Sequence, residues 1–412
     1  MRPILTLAEK GFVVLTLLLS TEAFLTFVPK ALRQPIWLLV YALSLFLMVL
    51  RWRHAARVVM RGTMVWVLVG FVVFSMFWSD APDVTVRQSI AVVGTTLFGV
   101  YLATRYSLSE QLRLLALVFG IVAVLSLVFA VALPSYGLQN GQSWQGIYHH
   151  KNMLGRIMIL SGVVFVLMIH AEHKRRWMVW GGAGLSTMLL LLSNSKTALA
   201  LYGTLVILLP LYRAMRLYYK LAVPLLIGAV LSGGAIAMIV LASVETVLES
   251  AGKDLTLSGR TDLWGLVLDM IQLRPWLGYG FGGFWRGWNG ASAYIWTAEW
   301  WLPMHSHNGY LNLWLDLGLV GLMIFGFSYL MVLRRAIIWV RLTNSPEYLM
   351  PLSFLTFMFL YNLTESVILL QNTIFWILYV TIAFSRLEQD ERISEPLYGR
   401  AIPSNGGHVQ NA

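Results

Sequence analysis

His305-Ser306-His307-Asn308-Gly309-Tyr310-Leu311-Asn312-Leu313-Trp314-Leu315 marks the point where the longest hydrophilic stretch, residues 243–303, gives way to an apolar run. Outward from it in both directions, most of the sequence consists of apolar segments joined by short basic links. The chain has 58% hydrophobic residues, 12% charged residues and a mean hydropathy of +0.70. A globular domain carries roughly twice that share of charge, about 25%. The expected fold class is therefore an all-α integral membrane protein.

Runs of about 17–25 mainly apolar residues can cross a hydrocarbon core about 30 Å thick. About twelve such spans are expected, centred on 10–28, 35–50, 62–78, 88–104, 114–134, 153–171, 178–194, 196–212, 221–243, 308–333, 348–364 and 366–385. The first has no small-residue cleavage site before the next span and is expected to be retained. A single membrane domain over 1–386 follows, with one large extracytoplasmic loop over 244–307 between the ninth and tenth spans. Residues 387–412, rich in Gly, Ser, Asn and charge, are expected to form a disordered cytoplasmic tail.

When the links alternate between sides with the N-terminus inside, most of the 30 Lys and Arg fall in short cytoplasmic links. The net charge of +11 is then explained by topology and anionic membrane lipids, with no nucleic-acid partner. The absence of cysteine excludes disulfides and thiolate chemistry.

The basic residues left on the outward side are Lys30, Arg33, Arg87, Lys151, Arg156, Lys196, Lys253, Arg260, Arg274 and Arg286. Snorkelling to lipid phosphates accounts for Lys30, Arg33 and Lys253. Lys196 interrupts an apolar hairpin in Ser193-Asn194-Ser195-Lys196-Thr197, where a deep cation costs about 2.5–3.5 kcal/mol unless partnered. Arg260 opens an amphipathic stretch with Leu263, Trp264, Leu266, Val267, Met270 and Ile271 at helical spacing. Its structural alternative is a salt bridge to Asp262 or Asp254. Arg156 lies four residues beyond Asn152 and could pair within the bundle.

In Trp78-Ser79-Asp80-Ala81-Pro82-Asp83, Ser79 or Asp83 suits a helix cap, with Arg87 on the following helix entry. The cluster Trp144, Tyr148, His149, His150, Lys151 and Asn152 fits either an aromatic belt or a saccharide site. The Gly-aromatic run 275–285 is expected to lie as an interfacial lid or to line a saccharide groove. His305 and His307 lack the spacing of a catalytic zinc site, so no metal and no cofactor is expected. Histidine suits a general base, because its ordinary pKa near 6.5 is close to working pH; a capping histidine is the structural alternative. Asn308, Asn312 and Asp316 recur every four residues as one helix stripe. Glu365, in Asn362-Leu363-Thr364-Glu365-Ser366, requires a cationic or hydrogen-bonding partner inside a membrane protein.

Taken together, these residues resemble the bacterial O-antigen ligase and polymerase superfamily, which includes Wzy-type polymerases and lipid A-core ligases. The matching pieces are Trp78-Ser79 with Pro82 and Arg87, residues 144–155, Ser195-Lys196, Gly259-Arg260, residues 275–284, His307-Asn308 with Gly318 and Gly321, and Thr364-Glu365-Ser366. Residues 144–155 and Ser195-Lys196-Thr197 are most similar to exopolysaccharide polymerases of the ExoQ type. The ligases typically carry arginine where this chain has Lys196.

The resemblance implies a GT-C-like glycosyltransferase architecture in the bacterial inner membrane, with both termini cytoplasmic and the active site periplasmic. It implies metal-independent, inverting transfer from an undecaprenyl-diphosphate-linked oligosaccharide to an acceptor glycan. The acceptor is a lipid-linked repeat unit for a polymerase, with a chain-length regulator as partner, or lipid A-core for a ligase. The implied catalytic residues are His307, Arg260 and Lys196. Lys151, Arg156, Asn152, Arg87, Asn308, Trp144, Tyr148, His305 and Glu365 are the implied substrate-binding residues. A lipid-linked saccharide transporter is the alternative from another class, although no paired internal repeat of the transporter kind is visible.

Overall fold

The computed structural model describes residues 2–24, 27–172, 174–215, 224, 228, 258–299 and 302–387. Most of them are helical: α1 (Arg2–Ser20), α2 (Lys30–Leu50), α3 (Trp52–Val59), α4 (Thr63–Phe74), α5 (Pro82–Arg105), α6 (Leu108–Ala132), α7 (Pro134–Gly137), α8 (Lys151–Ala171), α9 (Arg176–Leu192), α10 (Lys196–Ala214), α11 (Ser258–Leu273), α12 (Ala293–Ala298), α13 (Gly309–Leu342), α14 (Leu349–Tyr361) and α15 (Ile374–Phe384). A two-stranded hairpin, β1 (Leu138–Gln139) and β2 (Ser143–Trp144), pairs Leu138 with Trp144.

Among the described residues, seven helical spans are long and apolar enough to cross a membrane, which makes this a multi-pass all-α membrane protein. The expected span at 221–243, residues 244–257 and 300–301 of the expected loop, and the tail from 388 onward lie outside the described residues. The seven spans coincide with those expected at 35–50, 62–78, 88–104, 114–134, 153–171, 196–212 and 308–333, while those expected at 10–28, 178–194, 348–364 and 366–385 only overlap shorter or less apolar helices.

The last pair differs from expectation. α14 stops at Tyr361 and α15 starts at Ile374, and the segment between them is irregular. The 11 residues of α15 are all buried. At 1.5 Å per residue the helix is about 16 Å long, too short to cross alone. It packs on α5 at Gly99, where an added Cβ would lie 2.8 Å from Val380, and Trp376 Nε1 donates to Thr96 Oγ1 at 3.0 Å. Close approach at small residues and interhelical hydrogen bonds replace the hydrophobic drive that membrane helices lack.

The basic residues sort to the two ends of α5. At the Arg105 end, Glu9 accepts from Arg51 at 2.9 Å and Tyr101 at 2.7 Å and pairs with Arg105 at 3.4 Å. The Pro82 end gathers the candidate site.

The Gly-aromatic run is neither a surface lid nor a groove wall along most of its backbone. Tyr279 N donates to Leu315 O (2.8 Å), Phe281 N to Ser75 Oγ (3.0 Å), Thr85 Oγ1 to Phe281 O (2.9 Å) and Leu319 N to Pro275 O (2.8 Å). The run is thus a strap wedged between α13 and the α4–α5 turn. α13 makes room by breaking at Gly318 (φ 66°, ψ −173°), whose missing side chain faces the backbone of Trp276 and Leu277. Ser79 serves this turn by accepting from Ala81 N at 3.0 Å, and Asp80 pairs with Arg274 at 2.5 Å.

Candidate active site

Three segments far apart in sequence are pinned together at the Pro82 end of α5. Leu263, Val267 and Ile271 bury the inner face of α11, as its spacing predicts, and Trp264 Nε1 donates to Ser306 O at 3.0 Å. Asn308 caps α13, its Oδ1 accepting from Tyr310 N (3.0 Å) and Leu311 N (3.2 Å). Gly309 N donates to Asn362 O at 2.8 Å, and Asn362 Oδ1 accepts from Val367 N (2.9 Å) and Ile368 N (3.2 Å). The 362–368 turn is thereby fixed against the start of α13.

This scaffold places Glu365 between a guanidinium and an imidazole. Arg260 donates through one terminal nitrogen to Thr364 O at 2.9 Å and through the other to Glu365 Oε1 at 3.1 Å. His307 Nδ1 lies 3.4 Å from Glu365 Oε2. The side chains of Arg260, Glu365 and His307 are 24%, 19% and 21% exposed, partly desolvated but reachable. Arg260 therefore pairs with Glu365, while Asp254 lies outside the described residues. His307 adopts φ +50°, a left-handed backbone that costs energy for a non-glycine residue and marks functional positions. Its ring lies tilted against that of His305, centroids 4.0 Å apart, and His305 Nδ1 accepts from His307 N at 3.2 Å.

The electrostatics follow from this packing. Burial pushes the Glu365 carboxyl up, but the His307 hydrogen bond and the Arg260 charge outweigh it and hold the carboxyl below the usual range. Burial, then the charges of His307, Arg260 and Arg156, push His305 down to about 4. His305 is therefore neutral near pH 7 and acts on His307 as an acceptor. His150 is pushed down by burial and Lys151, with Glu365 opposing, so the field of Glu365 reaches the start of α8.

The remaining expected residues divide. Arg156 forms a partly buried ion pair with Glu22 and lies over the Phe375 ring at 5.2 Å, within electrostatic range of Glu365. Asn152 Oδ1 accepts from Ser195 Oγ at 3.0 Å, and Gly155 admits Ala198, with an added Cβ only 2.9 Å from the Ala198 Cβ. The starts of α8 and α10 therefore meet, which puts Lys151 and Lys196 at the same end of the bundle. Lys151 N donates to Gln139 Oε1 at 3.0 Å, whereas the Lys196 side chain is exposed and, among the described residues, has no carboxylate partner.

Trp144 is half-buried against the core, and Tyr148 is 2% exposed, so its ring offers no face for a sugar. Arg87 is not at the Glu365 cluster; it lines a separate cavity. The Asn312–Asp316 stripe faces the strap, since Asn312 Nδ2 donates to Asp316 Oδ2 (3.4 Å) and Asn312 Oδ1 accepts from Trp285 Nε1 (2.8 Å).

His305, His307 and Glu365 each offer a ligand atom, all within 4.8 Å of one another. The donor set is one a divalent cation accepts. Both Glu365 oxygens, however, already face Arg260 and His307, and a bound cation would sit against the Arg260 guanidinium.

Residues 182–326 match the family described as O-antigen ligase. Over that stretch the chain is similar to the O-antigen ligase family. The family match includes Lys196, Arg260 and His307 and stops before Glu365. The chain is also similar to the exopolysaccharide production protein ExoQ of Rhizobium meliloti (strain 1021), with 29% identity over 269 residues, 62% of this chain. The matched region spans 60% of that relative's length. At one end of the bundle the chain thus places an imidazole and a guanidinium on either side of one carboxylate, Arg260 at 3.1 Å and His307 at 3.4 Å from Glu365.

Proposed function

We propose that this chain transfers saccharide from an undecaprenyl-diphosphate-linked donor to an acceptor sugar hydroxyl on the periplasmic face of the bacterial inner membrane, polymerising repeat units. The twelve-span, GT-C-like arrangement, the outward loop over 244–307 and the cytoplasmic termini belong to this proposal. The observation that carries it is Glu365, held between Arg260 at 3.1 Å and His307 at 3.4 Å.

His307 takes the proton from the acceptor hydroxyl, and Glu365 orients the imidazole and stabilises its charged form. The hydroxyl oxygen attacks the anomeric carbon from the side opposite the diphosphate, whose bond to that carbon breaks, so the anomeric configuration inverts. Arg260 uses two of its five N–H donors on Thr364 and Glu365, leaving others for phosphate oxygens as charge develops. Lys196 adds an exposed point charge at the start of α10, beside Lys151. Cations thus meet the leaving group without a metal.

The test is the purified protein with synthetic undecaprenyl-diphosphate repeat units. A ladder of longer lipid-linked chains is expected. Transfer solely onto lipid A-core overturns polymerisation in favour of a ligase, which the family's description favours; movement of intact lipid-linked saccharide without bond formation overturns both in favour of a transporter.

A further inference from the structure

A cavity lies apart from the Glu365 cluster. It measures about 420 Å³ and is lined by Arg33, Arg87, Gln88, Trp37, Gln371 and Asn372, among others, with Glu22 also on its wall. That size lies within the range of about 300–1,000 Å³ typical of small-molecule sites. Glu22 is spoken for by its ion pair with Arg156, and among the described residues no carboxylate pairs with Arg87.

Two further features point to a ligand with an anionic head and an apolar tail. Asn372 Oδ1 accepts from Tyr41 Oη and Asn372 N donates to Thr95 Oγ1 at 2.9 Å, so the residue is fixed at the cavity wall with an amide NH2 group able to donate. Asn372 (φ +64°) and nearby Leu369 (φ +54°) hold left-handed backbones, strain of the kind kept at binding sites. Leu38 and Ile90 line the same cavity and are 47% and 51% exposed, so its rim continues onto the apolar outer surface of α2 and α5.

We propose that this cavity binds the diphosphate of the acceptor's lipid carrier, with the Glu22–Arg156 pair standing between it and the Glu365 cluster where the donor's diphosphate leaves. This rests on the proposed polymerisation, in which both substrates are lipid-linked and the acceptor's reacting hydroxyl lies some sugars away from its own diphosphate. Arg33 and Arg87 bind the phosphates with charge-assisted hydrogen bonds, Asn372 and Gln88 donate to the remaining oxygens, and the polyprenyl chain leaves over Leu38 and Ile90.

The experiment is the stoichiometry of sugar-free undecaprenyl diphosphate on the full-length protein in phosphatidylcholine nanodiscs, read by native mass spectrometry. Two bound molecules are expected for wild type, one for Arg33→Gln/Arg87→Gln and one for Arg260→Gln. The single change Arg87→Gln, at an exposed side chain, should weaken the second event about tenfold, the loss expected for one charged hydrogen-bonding partner. Ile90→Trp fills the rim from an exposed position and should also leave one molecule bound, so the test survives misfolding of the double variant. Two molecules retained in both Arg33→Gln/Arg87→Gln and Ile90→Trp overturn the proposal, as does a single wild-type molecule lost in Arg260→Gln.

Displacement by equimolar phosphatidylglycerol would assign the cavity to bulk lipid headgroups and overturn the acceptor assignment. Chain elongation with one binding site would sink this inference and leave polymerisation standing. Two sites without elongation would sink polymerisation and leave a second diphosphate pocket.

Discussion

At the scale of single residues, the cluster predicts unequal losses. On the proposed mechanism His307→Ala removes the base and should lower kcat by about 10²–10⁴-fold with the protein still inserted, the range for a positioned acid–base group. Glu365→Gln keeps the shape but leaves Arg260 and His307 without their shared anion, and should cost at least about tenfold in kcat. Wild-type turnover in either variant would remove that residue from the reaction. Lys196→Arg keeps the charge at an exposed helix start, so partial activity is expected.

His305 supplies the pH prediction. Its folded pKa of about 4 lies below the ordinary 6.5, so the folded state binds fewer protons than the unfolded one in between. Its contribution to stability is fully present above pH 6.5 and is lost as pH falls toward 4. Thermal unfolding of wild type and His305→Asn across that window should show the steeper acid loss in wild type; parallel curves would contradict it.

At the scale of elements, the strap and the kink in α13 depend on each other. Gly318→Ala must hold φ near +66° with a Cβ directed at the Trp276 backbone. The strain alone is worth about 1–3 kcal/mol, so a clear fall in thermal midpoint is expected, and an unchanged midpoint would argue against the wedge. Glu22→Gln removes the carboxylate facing the partly buried Arg156, and a lower thermal midpoint is expected, with an unchanged midpoint arguing against a structural role for the pair.

The elements were legible in the sequence to unequal degrees. Long apolar periods located the helices, and the spacing of Leu263, Val267 and Ile271 marked the buried face of α11. The strap was not legible, because its bonds run from glycine-rich backbone to Ser75, Thr85 and Leu315, partners that no local pattern announces. The same aromatic composition that suggested a membrane lid in fact packs partly inside. Tyr148 was misplaced for a related reason: a tyrosine beside polar residues reads as a stacking face until burial is known. Glu365 demanded a partner on the grounds of cost, but only the folded chain identifies Arg260 and His307 as that partner.

At the scale of the whole molecule, basic residues gather at both ends of the bundle for different reasons. Those around Glu9 knit α1, α2 and α5 together, whereas those around Glu365 and Arg87 lie where the proposed reaction would need to hold phosphates. A reaction run by these cations should be indifferent to chelation. Turnover is expected to be unchanged in EDTA, and a chelated protein that is inactive and restored by a divalent metal would make His305, His307 and Glu365 ligands instead.

Arg260, His307 and Glu365 arrive on segments made well apart in time as the chain leaves the ribosome. Until the turn after α14 has been synthesised and seated against Asn308 and Gly309, the base has no carboxylate and the guanidinium no anchor. If the chain transfers lipid-linked sugars as proposed, a half-inserted chain is inert toward them, and competence comes only with the last helices in place.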